Sequence, residues 1–278
     1  MSALRRTLRR PTPRFDGIGL HTGAPAWARV LPDQSARGIV FRSSNSEEAQ
    51  AAPDLVVDTR RCTALQIAGR RLSTVEHLMA ALNGCGVTDA VVEFDGPEMP
   101  IMDGSARIFA DALLEAGFAD GADEIRPIVV EEIIDVPGAN GERLIALPAE
   151  RFSVTVVLDY PDHPALGAQA AIWNAGIPFE SAVAPARTYG FLSEFEQVRA
   201  LGLASGASLD NCVALLDDGS ADPRTPLRFP NEPARHKLLD VMGDLALAGA
   251  PIQGQVIALK PSHAVNCSLA RQLAARAR

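Results

Sequence analysis

No stretch of the 278-residue sequence approaches the roughly 20 consecutive apolar residues that a membrane-spanning helix requires. The N-terminus carries charge but lacks the apolar segment of a secretory signal, so a cytoplasmic protein is expected. Positive charge is in short supply: 26 Lys and Arg against 34 Asp and Glu leave a net charge of -8. That balance argues against a nucleic-acid partner, whose backbone is held by clustered basic side chains. The one basic cluster, Arg5, Arg6, Arg9 and Arg10, reads as an exposed strand with solvated arginines. Cysteines are few, and Cys62, Cys85, Cys212 and Cys267 stand too far apart for a C-x-x-C pair, so reduced, packed thiols are expected. No G-x-S-x-G elbow, G-x-x-x-x-G-K-[ST] loop or H-E-x-x-H motif occurs, and no strict repeat of 20 to 50 residues, which removes several hydrolase and nucleotide-binding classes and the solenoids.

What is present is an ordinary globular composition, 47% apolar and 22% charged, in a chain long enough for one large or two ordinary domains. Alternating runs at Ala26 to Leu31 and Ala90 to Phe94 predict half-buried strands, and Ser73 to Asn83 and Ser105 to Ala116 carry apolar residues at helical spacing. Each helix pattern opens at a serine suited to capping, and Gly84 and Gly117 stand where left-handed stops are expected. Asp120 to Pro127 reads as a linker. Beyond it the order repeats: strands at Ile128 to Ile134, Arg143 to Leu147 and Ser153 to Leu158, then helices at about Pro233 to Ala248 and Ala264 to Ala275 around a strand at Gln255 to Leu259. The expected fold class is α+β, with two similar domains, residues 1–121 and 126–278. Each is a β-sheet with helices packed on one face, and the helices of the two domains face each other in a sandwich across a cleft suited to a ligand.

Only five histidines are available: His21, His77, His163, His236 and His263. His236, Asp240 and Asp244 recur at every fourth residue of one helix pattern and so project from one face. An imidazole and a carboxylate one turn apart can share a metal, and a third protein ligand would leave a tetrahedral position open for water. A solvated polar stripe would have the same spacing. His77 is the natural third ligand, and Glu76 beside it is placed to act as a general base. Ser73-x-x-Glu76 also matches a capping box, an alternative role for the glutamate. His263 follows Lys260-Pro261-Ser262 at a strand-to-helix junction; Asp244, not needed as a fourth ligand, could hold its imidazolium as a general acid.

Seven segments, in order along nearly the whole chain, resemble the UDP-3-O-acyl-N-acetylglucosamine deacetylase family, the zinc-dependent deacetylases of lipid A biosynthesis. They are Gly17-Ile18-Gly19-Leu20-His21-Thr22-Gly23, Ser73-Thr74-Val75-Glu76-His77, Ile101-Met102-Asp103-Gly104-Ser105-Ala106, Asp162-His163-Pro164-Ala165, Arg187-Thr188-Tyr189-Gly190-Phe191, Ser208-Leu209-Asp210-Asn211 and Arg235-His236-Lys237-x-x-Asp240-x-x-Gly243-Asp244. The resemblance implies one zinc ion per chain on His77, His236 and Asp240, with Glu76 as base and His263, supported by Asp244, as oxyanion stabiliser or acid. It also implies that Thr188 assists the tetrahedral intermediate, that Lys237 meets the nucleotide diphosphate, that Tyr189 and Phe191 flank the sugar, and that Leu192, Phe195, Ala204 and Leu209 line an apolar passage for the substrate's acyl chain. The implied reaction removes the N-acetyl group of UDP-3-O-acyl-N-acetylglucosamine, with a UDP-linked acylated amino sugar as partner. A metal-dependent deacetylase of another N-acyl sugar, or a metal-binding protein without turnover, are the alternatives. Several positions depart from the family pattern. Ala207 stands where a second glycine is common, so its Cβ should resist a positive φ or crowd the passage. Ser262 replaces a frequent Gly, Ile108 a Pro and Pro185 a Ser.

Overall fold

The computed structural model describes residues 3–276; the outermost positions of the two expected domains, 1–2 and 277–278, lie outside the described residues. Two five-stranded sheets organise it. The first runs in spatial order Phe15–Ile18, Pro25–Pro32, Ala90–Asp95, Ile39–Ser43, Glu48–Gln50, and the second in order Ile134–Pro137, Arg143–Leu147, Gln255–Leu259, Ser153–Tyr160, Gly167–Asn174. In both sheets the central strand pairs antiparallel with the second and parallel with the fourth, and both edge strands are antiparallel to their neighbours. The repeated order seen in the sequence is therefore a repeated topology. Alternation explains the strands: in Pro25–Pro32, Ala26, Ala28 and Val30 are buried while the residues between them are not.

Among the described residues there are six α-helices: α1 (Glu76–Gly84), α2 (Arg107–Ala116), α3 (Phe179–Ala182), α4 (Phe195–Ala200), α5 (Glu232–Ala246) and α6 (His263–Arg276). In each unit one long helix comes just before the central strand and one follows it, so α1 corresponds to α5 and α2 to α6; the short α3 and α4 have no counterpart in the first unit. α1 packs along α5, and one continuous apolar cluster runs through both units. At Gly243 the two helices come so near that even a Cβ would fall 2.0 Å from the Glu76 carbonyl oxygen. Only a residue without a side chain lets two backbones meet there.

Several expectations need correction. Phe118–Ile125 is not an irregular linker but a strand, paired antiparallel with Ala3–Leu8, and this pairing satisfies the backbone of the connecting segment. The N-terminal strand is as expected, though Arg5 is tied at 2.8 Å to the buried carboxylate of Asp89 rather than solvated. Ile128 to Ile134 is two short strands, Ile128–Val129 and Ile134–Pro137, in different sheets. Gly84 is not a left-handed stop: it lies in the last turn of α1, with the Phe179 ring filling the space a Cβ would take. Gly117 does close α2, at φ +69°. All four cysteines are free. Among the described residues no helix is long and apolar enough to cross a membrane.

Candidate metal centre

α1 begins at Glu76 because Ser73 and Thr74 are engaged elsewhere. Ser73 N–H donates to Pro97, Thr74 turns the chain at φ 58°, and the Thr74 hydroxyl donates to the buried carboxylate of Glu98. The capping box is therefore not formed, and the α1 N-cap is Val75 with no side-chain hydrogen bond. Ser105 does not take the N-cap of α2 either; that position is Ala106, although the Ser105 hydroxyl accepts from Arg107 N–H. Freed from capping, the Glu76 carboxylate turns inward, where its Oε2 accepts from Thr63 N–H at 3.0 Å.

α5 is set by Glu232 in its first turn, fully buried, which accepts from Arg187 N–H and its guanidinium and from Arg228 N–H. That grip holds residues 186–188 over the helix, so that His236 Nδ1–H donates to the Ala186 carbonyl at 3.0 Å. A carbonyl can only accept, so His236 is left with Nε2 free as a ligand nitrogen. His236 Nε2 lies 3.4 Å and His77 Nε2 3.9 Å from Asp240 Oδ1, and the two rings meet edge to face at 5.0 Å. One ligand atom from each of the three lies within 4.8 Å of the others, and all three residues are buried.

The donor set suits a divalent cation. Burial, then His236, pushes His77 down to about 3, and burial likewise lowers His236, so both rings are neutral. Burial alone would raise Asp240, but Lys237, whose Nζ donates to its Oδ2 at 2.9 Å, and the His263 imidazolium hold it well below the usual carboxylate range. Two neutral nitrogens and one carboxylate oxygen are the ligands a catalytic zinc site uses.

Two further groups flank these ligands. Glu76 Oε1 is 3.9 Å from His263 Nε2, and His263 Nδ1 bonds Asp244 Oδ2 at 2.8 Å. Burial pushes Glu76 up to about 8, partly offset by His263 and reinforced by Asp244 and Asp240. A cation on the adjacent ligands would act in the opposite direction. Burial alone would lower His263, yet Asp244, then Glu76 and Asp240, raise it to about 9. A carboxyl and an imidazolium whose affinities for protons are shifted by their surroundings are the equipment of acid–base chemistry.

Thr188, Lys237, Tyr189, Phe191, Leu192, Phe195, Ala204 and Leu209 all line one cavity of about 380 Å³. Ala207 does not take a positive φ and lies on the cavity wall; the positive φ of this loop is at Ala204, 55°. The Tyr189 hydroxyl meets that of Tyr160 at 2.7 Å. His163 stacks on Phe191 at 4.1 Å. His21 and Arg61 are among the cavity residues given no role from the sequence. His21 Nε2 is buried without a hydrogen-bond partner among the described residues, and Arg61 reaches Glu194 at 3.0 Å. The Gly17 to Gly23 segment pointed toward His21; nothing local pointed toward Arg61.

Three buried atoms that could hold a metal ion, beside a carboxyl and an imidazole with shifted proton affinities, are the outline of a hydrolytic site. The family model described as LpxC, UDP-3-O-acyl N-acetylglycosamine deacetylase, matches residues 5–275. A protein of that kind from Anaeromyxobacter sp. (strain Fw109-5) is 42% identical over 93% of this chain and 85% of its own length. Another, from Syntrophotalea carbinolica, is 38% identical over 98% of this chain and 88% of its own. A third, from Myxococcus xanthus, is 38% identical over 93% and 83%. The chain belongs to the UDP-3-O-acyl N-acetylglycosamine deacetylase family, and is thus an amide hydrolase.

Proposed function

We propose that the chain hydrolyses the N-acetyl group of UDP-3-O-acyl-N-acetylglucosamine in the cytoplasm, giving UDP-3-O-acyl-glucosamine and acetate for lipid A synthesis. The two sheet-and-helix units act as domains, 1–121 and 126–278, that meet at the site. The observation that carries the reading is the convergence of His77, His236 and Asp240 within 4.8 Å, with Glu76 and His263 beside them. One zinc ion on these ligands would supply Lewis acidity for the acetamide carbonyl and lower the pKa of water.

The chain's own groups do the rest. Glu76 takes a proton from water as its oxygen adds to the acetyl carbon. Thr188 donates a hydrogen bond to the oxygen on which negative charge develops. His263, held protonated by Asp244, delivers a proton to the sugar nitrogen as the C–N bond breaks, leaving a neutral amine and acetic acid, which gives up its remaining proton to solvent and departs as acetate. Lys237 meets the diphosphate, Tyr189 and Phe191 flank the sugar, and the 3-O-acyl chain lies along Leu192, Phe195, Ala204 and Leu209.

The test is acetate release from UDP-3-O-acyl-N-acetylglucosamine by protein stripped of metal and then restored with about one equivalent of zinc, as a one-metal site requires. Activity that returns with zinc and is absent in His236→Ala is expected. A folded, zinc-loaded protein that releases no acetate would turn the search to other N-acyl sugars.

A further inference from the structure

Thr63 lies outside every motif named above and is fully buried. It follows Arg61, whose backbone is left-handed at φ 61°, and Cys62, and it immediately precedes the strand Ala64–Ile67. Its two polar groups point to different partners. The main-chain N–H donates to Glu76 Oε2 at 3.0 Å, and the hydroxyl donates to Asp244 Oδ1. The other oxygen of each acid faces His263: Glu76 Oε1 is 3.9 Å from Nε2, and Asp244 Oδ2 is 2.8 Å from Nδ1. Thr63, Glu76, His263 and Asp244 thus close a ring.

On the proposed reaction, on which this inference rests, we propose that Thr63 is a positioning residue that sets the base Glu76 and the acid His263 at a fixed separation across the domain interface. A carboxylate has two equivalent oxygens and rotates unless both are bonded. By occupying Glu76 Oε2, Thr63 leaves Oε1 as the one that meets water. By occupying Asp244 Oδ1, it leaves Oδ2 for His263, with Asn266 donating to that same oxygen at 2.9 Å. Without the hydroxyl, Asp244 Oδ1 is a buried charged atom deprived of its donor, so the carboxylate turns to recover one and takes the imidazole with it. Cys267 Sγ, at 3.8 Å from the Thr63 hydroxyl, is too weak a donor to replace it.

Thr63→Val tests this, because valine keeps the shape and the main-chain N–H but removes the hydroxyl. The zinc-loaded variant is expected to lose about 10- to 100-fold in kcat, the usual loss when an outer-shell partner is removed. KM should stay within about twofold, since Thr63 does not line the substrate cavity. Zinc affinity, read by chelator competition, should be unchanged, and Thr63→Ser should restore kcat. Because Thr63 acts through Asp244, the combined Thr63→Val, Asp244→Asn variant should be little worse than Asp244→Asn alone.

Wild-type kcat in Thr63→Val, or losses that multiply in the combined variant, would overturn the proposal. If Thr63→Val does not fold, Thr63→Ala takes its place with the same expectations. A wild-type protein inactive on the UDP-sugar would sink the substrate reading alone. The clamp is then read from the downfield proton resonance of His263 Nδ1–H, assigned by its loss in His263→Gln. That resonance should move in Thr63→Val and return in Thr63→Ser; a resonance that does not move overturns the clamp.

Discussion

Gly243→Ala separates two forces that act in opposite directions. Alanine is the better helix former, so on propensity alone the change would stabilise α5 by about 1 kcal/mol. The structure reverses that sign. The new Cβ would stand 2.0 Å from the Glu76 carbonyl oxygen and 2.8 Å from its carbon, where real contacts are at least 3.0 Å. α1 and α5 must therefore part by about 1 Å. Overpacking of this kind costs about 1–3 kcal/mol, more than the propensity gain, because the obstacle is backbone and cannot swing aside. The same displacement carries Glu76 and His77 away from Asp240, and metal–ligand distances tolerate only about 0.2 Å. A shift of about 1 Å in a catalytic group costs on the order of 100-fold in rate. Gly243→Ala should melt below wild type, bind zinc more weakly in chelator competition, and lose on the order of 100-fold in kcat/KM. A variant that binds zinc as wild type does and melts at or above it would refute the reasoning.

Other outcomes follow from the same geometry. Glu76→Ala should lower kcat by about 100- to 10,000-fold while zinc remains bound, as loss of a general base does; a thermal shift with full activity would contradict it. The metal-free protein should lose stability as pH rises from about 6.5 to about 9. His263 is raised in the folded state, so its contribution is complete below its unfolded value of 6.5 and disappears as pH passes about 9. Glu76, raised to about 8, contributes in the same direction. Urea midpoints across that range measure the slope, and Asp244→Asn should flatten it; an unchanged slope would remove Asp244 as the cause. Leu209→Trp, on the cavity wall, should raise KM for long-acyl substrates more than for short ones. Equal effects on both would place the chain elsewhere.

The sequence by itself determined the helix face bearing His236, Asp240 and Asp244, because a period of 3.6 residues is local and needs no partner. It also determined most strands, through alternation, and the repeated order of the two units. Where a local signal had competing uses, the sequence left the choice open or misled. Ser73-x-x-Glu76 spells a capping box, yet Thr63 takes the carboxylate and Pro97 takes the Ser73 N–H. Gly84 looks like a helix stop, yet it is glycine because the Phe179 ring lies against it. The acidic stretch after Ala119 reads as a linker, yet pairing with Ala3–Leu8 makes it a strand. Only the tertiary structure decided that His77 joins His236 and Asp240, and that Thr63 spans Glu76 and Asp244. His77 lies on α1 and His236 and Asp240 on α5, and the close approach of those helices at Gly243 brings the ligand set together, while Thr63 and His263 reach it from the chain before Ala64–Ile67 and from the start of α6.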